Sequence, residues 1–63
     1  MVILQVTIGG QKIYFKGSDA DFEWTKDRPQ AKEYTDAASA RADLVGASMA
    51  MDHYTTRAIA VAA

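Results

Sequence analysis

The sequence contains no cysteine. No disulfide staples the chain, and no thiolate metal site exists in it. It contains one histidine, so any metal site would have to be completed by carboxylates. No stretch approaches the apolar run of about 20 residues that a membrane-spanning helix needs. Met1 to Ile8 is too short and too polar for a secretory leader. No sign of charge dominates either. Seven Lys/Arg face eight Asp/Glu, for a formal net charge of −1. Nucleic-acid binding usually shows as a basic excess on one face, so that balance speaks against it.

The chain is one domain at most, spanning residues 1–63. At this size about 60% of the unfolded surface becomes buried, and a single core must supply the stability. The lack of cysteine is compatible with a cytoplasmic location, and a bacterial cytoplasm is expected.

The first clear element is a hairpin. Val2, Leu4, Val6 and Ile8 share one face of an extended run, with Gln5 and Thr7 on the other. Gly9-Gly10 then supplies the positive φ angles of a two-residue turn. Such a turn pairs Ile8 with Gln11, Thr7 with Lys12, Val6 with Ile13, Gln5 with Tyr14 and Leu4 with Phe15. The apolar pairs fall on one face, and a one-residue slip would scramble them. Phe22-Glu23-Trp24-Thr25 alternates again and predicts a third strand.

Two helix starts follow. In Asp27-Arg28-Pro29-Gln30, Asp27 is placed to cap a short turn, with Pro29 in the first turn and Gln30 at the capping-box position. That turn is expected to drop Ala31 onto the core. Thr35 or Asp36 caps the main helix, predicted over Asp36–Met51. Ala37, Ala40, Leu44, Ala47, Ser48 and Met51 form its apolar stripe, flanked by Val45 and Met49. Thr55 to Ala62 predicts a last strand, with Ile59 and Val61 as its β-branched residues. If it ran parallel to the first strand, its crossover would be right-handed.

These elements give an α+β fold. A three- to four-stranded, mostly antiparallel sheet is covered on one face by one helix. The expected core is Leu4, Val6, Ile13, Phe15, Phe22, Trp24, Ala31, Ala40, Leu44, Met51, Ile59 and Val61. Tyr34 is expected to keep its hydroxyl at the surface.

No catalytic constellation stands out. His53 beside Asp52, with Asp43 earlier on the helix, invites an acid–base or half-metal reading. A histidine at a helix C-terminus is more simply a favourable charge on the dipole. Asp19, Asp21 and Glu23 alternate as in a calcium loop, but the glycine and distal glutamate of such loops are missing. The reading is therefore non-enzymatic, with no cofactor and no metal.

The candidate partner-binding residues are Gln5, Thr7, Lys12, Tyr14 and Lys16 on the uncovered sheet face, together with Asp19, Asp21 and Glu23. Open sheet edges also offer strand addition. Lys12, Tyr14 and Lys16, with Arg57, resemble the basic-aromatic face of a single-strand reader, which makes a nucleic-acid accessory the alternative. A homodimer is a further alternative. Few large side chains serve the core, and a second copy could pair through an edge strand or the Ala38/Ala42/Val45/Met49 flank.

Tyr14-Phe15, then Trp24-Thr25-x-Asp27, Ala31, Tyr34, Asp36 and Ala40, form a pattern similar to one in small uncharacterised phage and prophage proteins. The likeness runs from Tyr14 to Leu44. The chain departs from it in its long alanine-rich helix and alanine-rich final strand. The resemblance implies a ββαβ-like domain from a mobile element and transfers no catalytic residue. A small phage-like domain without chemistry of its own is expected to act by occupying a surface of a bacterial host protein, which it would inhibit or modulate; an anti-CRISPR-like inhibitor fits this size.

Overall fold

The structure is a computed structural model. It describes residues 1–18, 24–47 and 57–63. Strand β1 is Val2–Ile8, β2 is Gln11–Phe15, β3 is Trp24–Thr25 and β4 is Ile59–Ala62. A 3-10 turn spans Arg28–Gln30, and helix α1 spans Ala37–Ala47. The strands form one antiparallel sheet in the order β3-β2-β1-β4.

The hairpin has the register that the two-residue turn dictates. Ile8 lies opposite Gln11, Thr7 opposite Lys12, Val6 opposite Ile13 and Gln5 opposite Tyr14. Gly9 and Gly10 both take positive φ, at +58° and +80°. Strands β1 and β2 need that turn because its twist matches their own.

β3 holds Trp24 opposite Phe15, with ring centroids 5.2 Å apart and planes tilted by 54°. The chain then folds back. Lys32 donates its N–H to the Phe15 carbonyl at 3.0 Å. Tyr34 and Val2 exchange both backbone bonds at 2.8 Å. Segment 32–34 thereby takes the place beside β1 that β2 leaves when it ends.

Asp36 is the cap of α1. Its Oδ1 accepts the Ser39 N–H at 2.8 Å. Asp27, by contrast, makes no side-chain cap bond. Its N–H donates to Thr25 Oγ1, and its carbonyl accepts the Gln30 N–H, both at 3.0 Å. One 3-10 turn held by backbone bonds needs no side-chain acceptor at its start.

The core lies between α1 and one sheet face. Leu4, Phe15, Tyr34, Ala40, Leu44 and Ala58 are buried there, with Val2, Trp24 and Ala60 packed against them. The expected core changes at β4. Its pairing puts Ile3 opposite Val61 and Leu4 opposite Ala60. Ala58 and Ala60 therefore face the helix, while Ile59 and Val61 take the other face. Ile59 is 53% exposed. Small residues at 58 and 60 suit a strand that runs under a closely packed helix. The strand also starts later than the alternation predicted. Arg57 is helical, and β4 begins at Ile59. The described strands are all antiparallel, so no right-handed parallel crossover arises. Tyr34 is also corrected: it is buried, and its hydroxyl is bonded inside the fold.

Phe22, Met49, Met51 and the predicted last turn of the helix lie outside the described residues, as do Thr55 and Thr56.

Candidate partner-binding face

Gln5, Thr7, Lys12 and Tyr14 do lie on the sheet face away from α1, because Leu4, Val6 and Phe15 take the other. That face is only partly open. Gln5 is 8% exposed and Tyr14 6%. The 3-10 turn folds over them, and the Arg28 guanidinium sits 5.7 Å from the centre of the Tyr14 ring. The expected uncovered patch therefore shrinks to Thr7 and Lys12, which are exposed, and Lys16, which is half-buried. Asp19, Asp21 and Glu23 lie outside the described residues.

The covering turn creates a groove. Its floor is Ile3, Pro29, Ala31 and Ala63, and its rim carries Arg28 and Glu33. Its volume is ≈ 250 Å³. Ile3 comes from β1, Arg28 to Glu33 from the connection before α1, and Ala63 from the residue after β4. Sequence reasoning placed Ala31 in the core; the structure leaves it half-buried in this groove, outside the core cluster, because the 3-10 turn lies over the sheet face away from α1. The groove itself went unseen, since its parts come from three distant stretches.

Arg28 is the organising side chain of this face. Its Nη2 donates to the Ala62 carbonyl at 2.5 Å while its guanidinium lies over Tyr14. One cation thus ties β2 to β4 across β1. A cation over an aromatic ring adds about 0.5–1 kcal/mol at an exposed site.

Asp43 belongs to the opposite side of the molecule and is structural. It accepts the Tyr34 hydroxyl at 2.5 Å and lies 3.6 Å from Lys32 Nζ. The Tyr34 hydrogen bond holds the Asp43 carboxyl below its ordinary value, helped by Ser18 and by the Lys32 charge, against the opposing effect of burial. An aspartate engaged in this way is held in its charged form and is poorly suited to general-base work. His53 and Asp52, the other members of the imagined set, lie outside the described residues.

Among the described residues, no group of three or more His, Asp or Glu could hold a metal ion. No described helix is long and apolar enough to cross a membrane. Ala38, Ala42 and Val45 are exposed on the outer side of α1, and Met49 of that flank lies outside the described residues. Comparison with known proteins finds no matching family model, curated protein or solved structure.

Proposed function

We propose that this chain is a non-enzymatic protein-binding module that docks on a bacterial host protein through the sheet face away from α1. The observation that carries the reading is the groove of ≈ 250 Å³ with an apolar floor and a charged rim. An apolar side chain of the partner would seat against Pro29, Ala31 and Ala63. A basic neighbour of that side chain would face the exposed carboxylate of Glu33. The similarity to small phage and prophage proteins supplies the host-directed part of the reading. An inhibitor that occupies a partner's surface, in the manner of an anti-CRISPR protein, needs no chemistry of its own. Its place of action would be the host cytoplasm.

The nucleic-acid alternative stands second. A base-stacking platform needs exposed aromatic faces, and Tyr14 is buried beneath Arg28.

Affinity capture from a bacterial lysate tests the reading when run with two variants. Glu33→Lys reverses the charge on the groove rim, and Ala38→Lys alters the exposed side of α1. The expected result is a host protein captured by the wild type and by Ala38→Lys but lost with Glu33→Lys. Equal capture by both variants would move the docking surface elsewhere.

A further inference from the structure

Among the described residues β4 is an edge strand, of four apolar residues, Ile59-Ala60-Val61-Ala62. An open edge of this composition is a template for pairing with another chain. The ladder's alternation shows which backbone groups face outward. Ala63 donates its N–H to the Met1 carbonyl at 3.1 Å. Val2 spends its N–H and C=O on Tyr34, on the side away from β4. Bonded and non-bonded pairs alternate along an antiparallel ladder. With Val2 opposite Ala62 and Ile3 opposite Val61, the bonded pairs are Met1–Ala63, Ile3–Val61 and Gln5–Ile59. The N–H and C=O of Ala60 and Ala62 therefore point to the open edge. Continued by two residues, the same alternation turns the Ala58 carbonyl outward as well.

Two of these three outward carbonyls carry arginine caps. Arg28 Nη2 donates to the Ala62 carbonyl at 2.5 Å. Arg41 Nη2 donates to the Ala58 carbonyl at 2.7 Å. Arg28 arrives from the 3-10 turn on one face of the sheet and Arg41 from α1 on the other. The edge is clipped at both ends and from both faces, and among the described residues only the Ala60 carbonyl between them carries no such cap. An added strand would need the acceptors at 58, 60 and 62 together.

We propose that Arg28 and Arg41 are edge guards that keep β4 closed to antiparallel pairing with a second copy of this chain. The second copy is the occupant because the edge is complementary to itself. About a two-fold axis at Ala60, the alanine of one copy faces that of the other. Each Ala58 faces an Ala62, and each Ile59 faces a Val61. No charge opposes another, and the exposed side chain of Ile59 gains cover. Two arginines would have to leave their carbonyls for this pairing to form.

The test removes the caps and keeps the stems. Arg28→Met/Arg41→Met is compared with the wild type by sedimentation equilibrium at tens of micromolar and by amide exchange. The expected result is a mass that rises above the wild type's with concentration, towards twofold. Exchange at Ala60 and Ala62 slows in parallel, and adding Ile59→Asp restores the wild-type mass. A folded double variant with the wild-type mass throughout would overturn the proposal. So would association that Ile59→Asp leaves intact. The wild type supplies a second reading that needs no variant. Its Ala60 and Ala62 amides should exchange freely while those of Ile59 and Val61 are protected. Protection of Ala60 at every concentration would mean that the edge is already occupied, and would also overturn the proposal.

Discussion

The hydroxyl of Tyr34 donates to Asp43 Oδ2 at 2.5 Å, joining the segment paired with β1 to the middle of α1. Lys32 adds its ammonium 3.6 Å from the same oxygen and lies over the Tyr34 ring at 5.4 Å. The helix is thus fixed to the sheet by a charge-assisted bond beside its apolar contacts, Ala40 and Leu44. Tyr34→Phe keeps the ring and removes the donor. It should cost about 1–2 kcal/mol in urea denaturation, in the range of hydrogen bonds to a charged group.

The same bond sets a pH dependence. The Asp43 carboxyl is held below its ordinary 3.8, first by the Tyr34 hydroxyl. Asp36 is also held below 3.8, first by the Ser39 backbone N–H. A carboxylate whose folded value is depressed stabilises the fold fully above its unfolded value. That contribution is lost as the pH falls through the folded value. Thermal stability should therefore be flat above about pH 5 as far as these two groups are concerned, and should fall as the pH drops below 3.8. Asp43→Asn should flatten the acid limb of that curve. An unchanged limb in Asp43→Asn would show that the Tyr34 bond is not what holds the carboxyl down.

The turn offers a contrast between two substitutions. A Cβ at Gly9 or Gly10 meets nothing within 4 Å, so a side chain there costs backbone strain and no clash. Gly9→Val/Gly10→Val should lose about 1–2 kcal/mol per residue, because β-branched side chains resist positive φ. Gly9→Asn should stay within about 0.5 kcal/mol of the wild type, since asparagine tolerates that region. Equal loss from both changes would point to steric crowding at the turn.

What the sequence disclosed was local. The two-residue turn and the alternation around it determine the register from Gln5 to Tyr14. Asp36 sits three residues before the amide that it caps. What stayed hidden depends on distant pairing. The face that Ile59 takes is decided by whether β4 puts Ala60 or Val61 opposite Leu4, and both strands alternate well enough for either choice. The burial of Tyr14 depends on Arg28, whose other contact is the carbonyl of Ala62, 34 residues away. No local pattern announces an arginine that reaches across a sheet. The groove combines β1, the turn and the residue after β4, so only the folded chain displays it.

The face exchange at β4 is directly measurable. Ala58 is 1% exposed beneath α1, whereas Ile59 is 53% exposed. Ala58→Leu forces extra methylenes under the helix and should cost about 1–3 kcal/mol. Ile59→Ala removes a larger side chain yet should cost within about 1 kcal/mol, mostly as lost strand preference. The reverse order in chemical denaturation would return Ile59 to the core.

Tyr14 separates the two readings of the sheet face. It is 6% exposed, pairs with Gln5 and Thr25 across its neighbouring strands, and carries Arg28 over its ring. As a packed residue it should behave like other large-to-small changes in a core. Tyr14→Ala should therefore lose about 3 kcal/mol, a large share of the total for a chain of 63 residues at roughly 0.05–0.15 kcal/mol each. Lys12→Glu, at an exposed position opposite Thr7, should leave stability within about 0.5 kcal/mol. As a base-stacking residue, Tyr14 would behave in the opposite way. Its loss would spare the melting temperature and cost about 1–3 kcal/mol of oligonucleotide affinity, and Lys12→Glu would weaken a binding that falls steeply with salt. The expected outcome is the first pattern, with no binding of the wild type to random oligonucleotides at physiological salt in a polarisation titration. A Tyr14→Ala variant that melts with the wild type while losing a salt-sensitive affinity would make this ring a reader of single strands.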